Sequence, residues 1–248
     1  MRNFANSLMN LKKTGLPVAI LLAIAIVVSG AFGDGGGNVM PATAKPYGYS
    51  LDDMTLKMAW FQTSGNNPTY YPQTPFQVLY MNYTTGGTTQ SDISCPAPNG
   101  GMGYLFAGTN SFVVRSGTPF FVPLWSVSDS PPVLPPFPSQ PSMAGYYFFS
   151  SQLVGGRDFE VIVDGQSTKL GESYVGWAFT PNDQPLLDGG GHGIVILGVF
   201  LTPMSVGTHT VTIKGQLAGA GLLQYFDLHC LAEDYSYLVK VIPGNSGK

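Results

Sequence analysis

Glycine and proline interrupt this chain too often for long helices. There are 32 Gly and 20 Pro in 248 residues. In a helix interior Gly costs about 1 kcal/mol and Pro about 3 kcal/mol relative to Ala. The 15 Phe and 13 Tyr favour pleated, half-buried surfaces instead. Charged residues make up 10% of the chain, against ~25% in ordinary soluble domains, so few Lys and Glu exist to solvate helix faces. These constraints predict an all-β domain with long Pro/Gly-rich loops.

The first thirty-odd residues predict export. Arg2, Lys12 and Lys13 precede the apolar run LPVAILLAIAIVVSGAF at residues 16–32. A basic start followed by an apolar stretch marks a secretory signal. Ser29, Gly30, Ala31 and Gly33 offer a cleavage zone, and Ala42-Thr43-Ala44 offers a second one further on. The rival reading is an uncleaved anchor, since the run is at the short edge of what spans a bilayer. Either way the remainder lies outside the cytoplasmic membrane: secreted, periplasmic or on the cell surface. Residues 1–33 are thus read as signal or anchor, 34–50 as a flexible Gly-rich spacer, and 51–248 as one domain. With Arg2, Lys12 and Lys13 gone, 8 basic residues face 14 acidic ones, a net −6. That charge lacks the basic footprint of nucleic-acid binding, and contact with a membrane is expected only through an uncleaved N-terminal segment. An oxidising exterior lets Cys95 and Cys230 pair; the alternative is two buried thiols.

Along the domain, residues 51–61 (LDDMTLKMAWF) predict a short helix. Asp52 and Asp53 sit at its positive end, and Leu51, Met54 and Met58 form a core stripe. Strands are expected at residues 76–83, 104–107, 112–115, 159–164, 174–180, 193–201, 208–215, 224–232 and 235–242, and a strand or short apolar element at 145–150. Residues 84–103 read as a loop holding Cys95, and Asn82-Tyr83-Thr84 is a formal glycosylation sequon. Pro119 and Pro123 make 118–125 an edge or bulged strand. Residues 130–141 (SPPVLPPFPSQP) resist both helix and sheet and read as a stiff crossover between sheets, or as a partner-facing arm. Asp164-Gly165 is a hairpin turn. On residues 208–215, His209, Val211 and Ile213 face one way and Thr208, Thr210, Thr212 and Lys214 the other. The spacing argues for a β-sandwich, Ig-like or jelly-roll-like, with a short N-terminal helix.

Four segments occur in a familiar order: GYLFAGT at 103–109, VVRSGTPFFVPLWSV at 113–127, VIVDGQ at 161–166 and LTPMSVGTHTVTIKG at 201–215. The set resembles a group of exported microbial proteins with no assigned activity. These share a FLAGT strand, a VPxGxxxxFPL strand, a vDG hairpin and an LxPGxHTVxxxG strand pair. The resemblance implies an exported β-sandwich and supplies no activity.

Chemistry is sparse in the sequence. The Gly-rich loop LDGGGHG at 187–193 holds Asp188 and His192, which together with Asp183 are the weak candidates for a metal or acidic site; the plain alternative is an exposed turn. His209 reads as a core histidine. His229 and Cys230 are strand neighbours facing opposite ways, which argues against a joint metal site. No G-x-S-x-G or phosphate-binding loop occurs, and Asp158, Glu160 and Asp164 read as solvating charges. The aromatic residues Trp60, Tyr70, Tyr71, Trp125, Tyr146, Tyr147 and Trp177 read as packing, or as stacking surfaces for sugar rings. No cofactor is implied. The leading expectation is an exported non-catalytic binding or structural module of unknown ligand, with a carbohydrate or another surface protein as candidate partners. The alternatives are an extracytoplasmic hydrolase or carbohydrate-active enzyme with an acidic loop site, and a surface-layer or filament subunit.

Overall fold

A computed structural model describes residues 38–81, 88–97 and 99–244. The leader at 1–33, the start of the spacer at 34–37 and the sequon lie outside them.

The chain is mostly β, with two mixed sheets packed face to face in a sandwich-like arrangement. The first sheet has the order β1 (Gln77–Val78), β4 (Phe120–Ser128), β8 (Gly193–Leu201), β7 (Val175–Phe179). The second has the order β2 (Thr88–Ser94), β3 (Met102–Arg115), β10 (Leu231–Ile242), β9 (Gly207–Leu217), β5 (Gly156–Val163), β6 (Gln166–Lys169). Two pairs are parallel, β1 with β4 and β3 with β10. Three α-helices are described: α1 (Leu51–Thr63), α2 (Ala144–Phe149) and α3 (Ala220–Phe226).

Strand β8 explains the layering. All of its residues are buried, because both faces are covered. Val195, Leu197, Val199 and Leu201 join the core between the sheets. Ile194, Ile196 and Phe200 join a second cluster with Leu51, Met54, Met58 and Phe61 of α1. The expected core stripe of α1 therefore packs on the outer face of the first sheet. Gly176 permits this, since a Cβ there would overlap the Thr55 hydroxyl and the Leu51 carbonyl. Ser50 caps the helix reciprocally: its hydroxyl accepts the Asp53 N–H at 3.1 Å, and its own N–H donates to Asp53 at 2.8 Å. Such boxes satisfy two orphan donors of the first turn.

Several local expectations are corrected. The expected spacer is part of the domain from Asn38 onward. Val39 is buried and bridges to Leu201, and the Thr202 N–H donates to Asn38 at 2.9 Å. Residues 145–149 belong to a helix that begins at Ala144 and ends on the extended backbone of Ser150, because Ala144, Tyr147 and Phe148 are buried at helical spacing. Residues 224–232 contribute the end of α3 and a turn at Asp227, which takes the left-handed backbone. The two short strands expected at 104–107 and 112–115 are one continuous β3, held in register by β10 along its length. The loop expected at 84–103 contains β2, an exposed edge of Thr, Ser, Gln and Asp that lacks apolar alternation. Pro123 lies where the register of β4 with β8 shifts, at the expected bulge. The Pro-rich crossover carries the chain from β4 toward β5 in the other sheet. It is pinned by buried Leu134, whose carbonyl accepts from Tyr147 at 2.9 Å.

Cys95 and Cys230 form a disulfide with their Cα atoms 5.7 Å apart. In sheet order, β3 lies between β2 and β10, so the bond must pass over β3. It does so at Gly103, where a Cβ would overlap the Cys230 carbonyl and both sulfur atoms. The bridge spans 135 residues, and in the chain-entropy account a loop of that length contributes about 5 kcal/mol at most. Replacing Gly103 by Ala is expected to destabilise the oxidised protein by about 1–3 kcal/mol. In a Cys95→Ala/Cys230→Ala background the same substitution should cost less. Urea denaturation of the four proteins measures the coupling, and equal costs in both backgrounds would show that Gly103 does not serve the disulfide.

Candidate functional site

The Gly-rich loop between β7 and β8 packs against the end of β4. The Asp188 carboxylate accepts from Ser128 Oγ at 2.7 Å and also from Ser130 Oγ. The Gly191 N–H donates to Ser130 Oγ at 3.0 Å. One oxygen of Asp129 accepts the backbone N–H groups of His192 and Gly193 at 2.7 and 2.8 Å. His192 Nδ1 lies 3.1 Å from Thr180 Oγ1, and Asp183 is exposed. The three candidates therefore occupy different surroundings. Among the described residues no group of three or more His, Cys, Asp or Glu side chains gathers as a metal site. Both carboxylates that face the loop hold backbone and hydroxyl donors in place, which is the work of a stapled turn. Sequence reasoning missed Asp129; the only signal was its position just before the proline run.

A second cluster has the outline of a catalytic triad. His209 Nδ1 lies 2.6 Å from Asp164 Oδ2, and His209 Nε2 lies 2.9 Å from the Ser205 carbonyl oxygen and 3.5 Å from Ser205 Oγ. A carbonyl oxygen only accepts, so Nε2 carries a proton and has no lone pair to offer a serine. The cluster is a charged staple across the β5–β6 hairpin and the turn before β9. The Asp164 hydrogen bond raises the His209 pKa above 6.5, against partial desolvation. For Asp164, desolvation pushes upward, but the hydrogen bonds from His209 and the Thr210 N–H prevail and hold it below 3.8.

Glu233 is the most perturbed carboxyl. It lies on the inward face of β10 between Phe106 and Gly215, is 4% exposed, and its Oε1 has no hydrogen-bond partner. Burial pushes its pKa well above 4.5, as expected for a charge taken out of water. The alternation Leu231, Glu233, Tyr235, Tyr237 was a signal that Glu233 faces inward. The nearby cavity between the sheets, lined by Asn66, Tyr235 and Tyr237 among others, measures about 20 Å³, which suits about one water.

The ligand-sized space lies elsewhere. An open cleft of about 450 Å³ runs between the start of α1, the start of α2 and the 3-10 turn Glu172–Tyr174. Its walls include Ser50, Asp52, Ser142, Glu172 and Ser173, and Ala42, Leu51 and Val175 supply apolar surface. Gly145 sets its width, since a Cβ there would press on Glu172. One oxygen of Asp52 accepts the Trp177 N–H at 2.8 Å, which fixes the carboxylate at the wall. None of these residues was a sequence candidate, because they come from three segments that only folding brings together. Of the aromatic residues considered as stacking surfaces, Tyr147 is buried and Trp177 stands at 52° to Phe179. Compared with protein-family models, with curated proteins and with solved structures, the chain matches none.

Two titrations of opposite type should shape the stability profile. His209, raised in the folded state, contributes fully below pH 6.5, and the contribution is lost as pH rises through its folded pKa. Glu233 is a carboxyl with a raised folded value, so the unfolded chain ionises first and stability falls as pH rises above 4.5. Denaturation midpoints from pH 4 to 8 should therefore decline on the alkaline side. Glu233→Gln should remove most of that decline, a slope of up to about 1.4 kcal/mol per pH unit. A Glu233→Gln profile parallel to the wild type would refute the buried-acid account.

Proposed function

We propose that the chain is an exported, non-catalytic binding module and that the cleft between Asp52, Ser142 and Glu172 receives its ligand. The cleft itself carries this reading. Its volume of about 450 Å³ falls in the range of small-molecule sites. Hydroxyls and carboxylates over an apolar floor suit a sugar or another polyol, whose hydroxyls donate to carboxylates while its C–H face covers Leu51 and Val175. The disulfide supports an oxidising destination. No helix of the described residues is long and apolar enough to cross a membrane. A hydrolase centred on the Gly-rich loop draws less support, because Asp129 and Asp188 are engaged in holding the turn.

In the proposed kinship with the exported group, the shared segments fall on β3, β4, the β5–β6 hairpin and the β8–β9 pair. The sandwich relation, Ig-like or jelly-roll-like, stays a proposal, because the parallel pairs depart from the antiparallel sheets of both.

Titration calorimetry against mono- and oligosaccharides, polyols and, as a separate arm, organic cations tests the reading. A polyol should bind, and Glu172→Gln should weaken it by about tenfold or more, the value of a hydrogen bond to a charged group. Binding that ignores both Glu172→Gln and a blocking Ser173→Trp substitution would move the site elsewhere. Binding of cations alone would overturn the polyol assignment.

A further inference from the structure

The outer face of the second sheet carries a mixed apolar and basic patch at one end. On β3, Val113 and Arg115 point outward; on β10, Leu238, Lys240 and Ile242 do. Val113 is 66% exposed, Leu238 49% and Ile242 36%, and both basic residues are exposed. The register interleaves them: Lys240 lies beside Val113, and Ile242 beside Arg115. Among the described residues, one carboxylate reaches these rows: Asp164, in the row of Leu238. The next acid on this face of β10, Asp234, is paired with Lys214 at 3.4 Å, and Asp164, beside Thr210, is paired with His209.

The same end holds the start of the described chain. Asn38 is bonded to Thr202, which follows β8. Residues 203–206 then lead to Gly207 of β9, and Gly207 lies in register with Val241 of β10, itself beside Val114 of β3. Only residues 33–37 separate Asn38 from the apolar run at 16–32, and a chain of that length reaches ~20 Å at most. The opposite end collects Asp129, Asp158, Asp183, Asp188 and Asp227, with Arg157 paired to Asp158, while the patch end holds Asp164 paired to His209. Cleavage at the second small-residue zone, Ala42-Thr43-Ala44, would detach Val39, which is buried against the domain.

We propose that the apolar run stays in the membrane and that the Val113–Arg115–Leu238–Lys240–Ile242 patch rests on anionic headgroups in the extracytoplasmic leaflet of the same bilayer. Basic residues near an anionic leaflet each contribute about fivefold in binding. Apolar side chains at the headgroup boundary add to this. Alone such a patch binds weakly, but a ~20 Å tether makes its contact intramolecular. The domain would then stand with its acidic end away from the lipid.

Tryptophan quenching by brominated lipid in full-chain protein, reconstituted in phosphatidylglycerol-containing vesicles, tests this. A reporter at the patch, Val113→Trp, is compared with one at the opposite end, Leu187→Trp, each after subtraction of the wild-type signal. The patch reporter should lose about half its emission, as expected for burial at the headgroup boundary, and the distal reporter should lose none. Arg115→Ser/Lys240→Ser should abolish the quenching with an unchanged circular dichroism spectrum. Equal quenching of both reporters, or none at Val113→Trp, overturns the proposal. So does an intact mass from the membrane fraction showing that residues 16–32 have been removed. Burial of the patch reporter in a lipid-free dimer would assign the surface to a second copy of the chain and likewise overturn it.

Discussion

Burial of β8 on both faces is the constraint on which the other layers depend. Its odd-numbered side chains meet the second sheet and its even-numbered ones meet α1. Each fully buried side chain of this size contributes about 1.5–3 kcal/mol. Neither cover is optional, since removing one would expose a row of Ile, Val or Phe. Because α1 must lie close to the sheet, Gly176 is needed beneath it. Because α1 begins there, Ser50 and Asp52 stand at the mouth of the cleft. The geometry of the proposed binding site thus follows from the packing of a strand that takes no part in binding.

The polar groups of this protein are largely committed to holding loops. Asp129 and Asp188 tie the Gly-rich loop to β4, Asp164 ties His209 to a turn, and Asn99 donates to three carbonyls around the disulfide. In a chain with 10% charged residues, such use leaves few carboxylates for a ligand. Glu172 and Asp52 gain weight for that reason. Glu233 is the exception: it is buried, and its Oε1 has no hydrogen-bond partner.

Much of the architecture was legible along the chain. The alternation of residues 208–215, the Asp164-Gly165 turn, the continuous apolar run of β8 and the helical spacing of Leu51, Met54 and Met58 each reflect a local period that folding preserves. The errors also have physical causes. β2 was invisible because an exposed edge strand needs no apolar face. β3 looked like two strands because Gly108 and Asn110 interrupt its pattern, and the long ladder with β10 overrides that interruption. Residues 145–150 were ambiguous because a short apolar run fits helix and strand alike.

The sequence by itself determined the material of this protein: a β-rich domain with few charges, one pair of cysteines, and an apolar segment ahead of it. These follow from residue chemistry and local periodicity, which need no partner elsewhere in the chain. Tertiary structure decided the rest. It brought Cys95 over Gly103 to Cys230, joined Asp52 to Glu172 across one cleft, and separated Asp183, Asp188 and His192, which had looked like a group. Those outcomes rest on contacts between residues distant along the chain, set by sheet order and by the close approach that individual glycines allow.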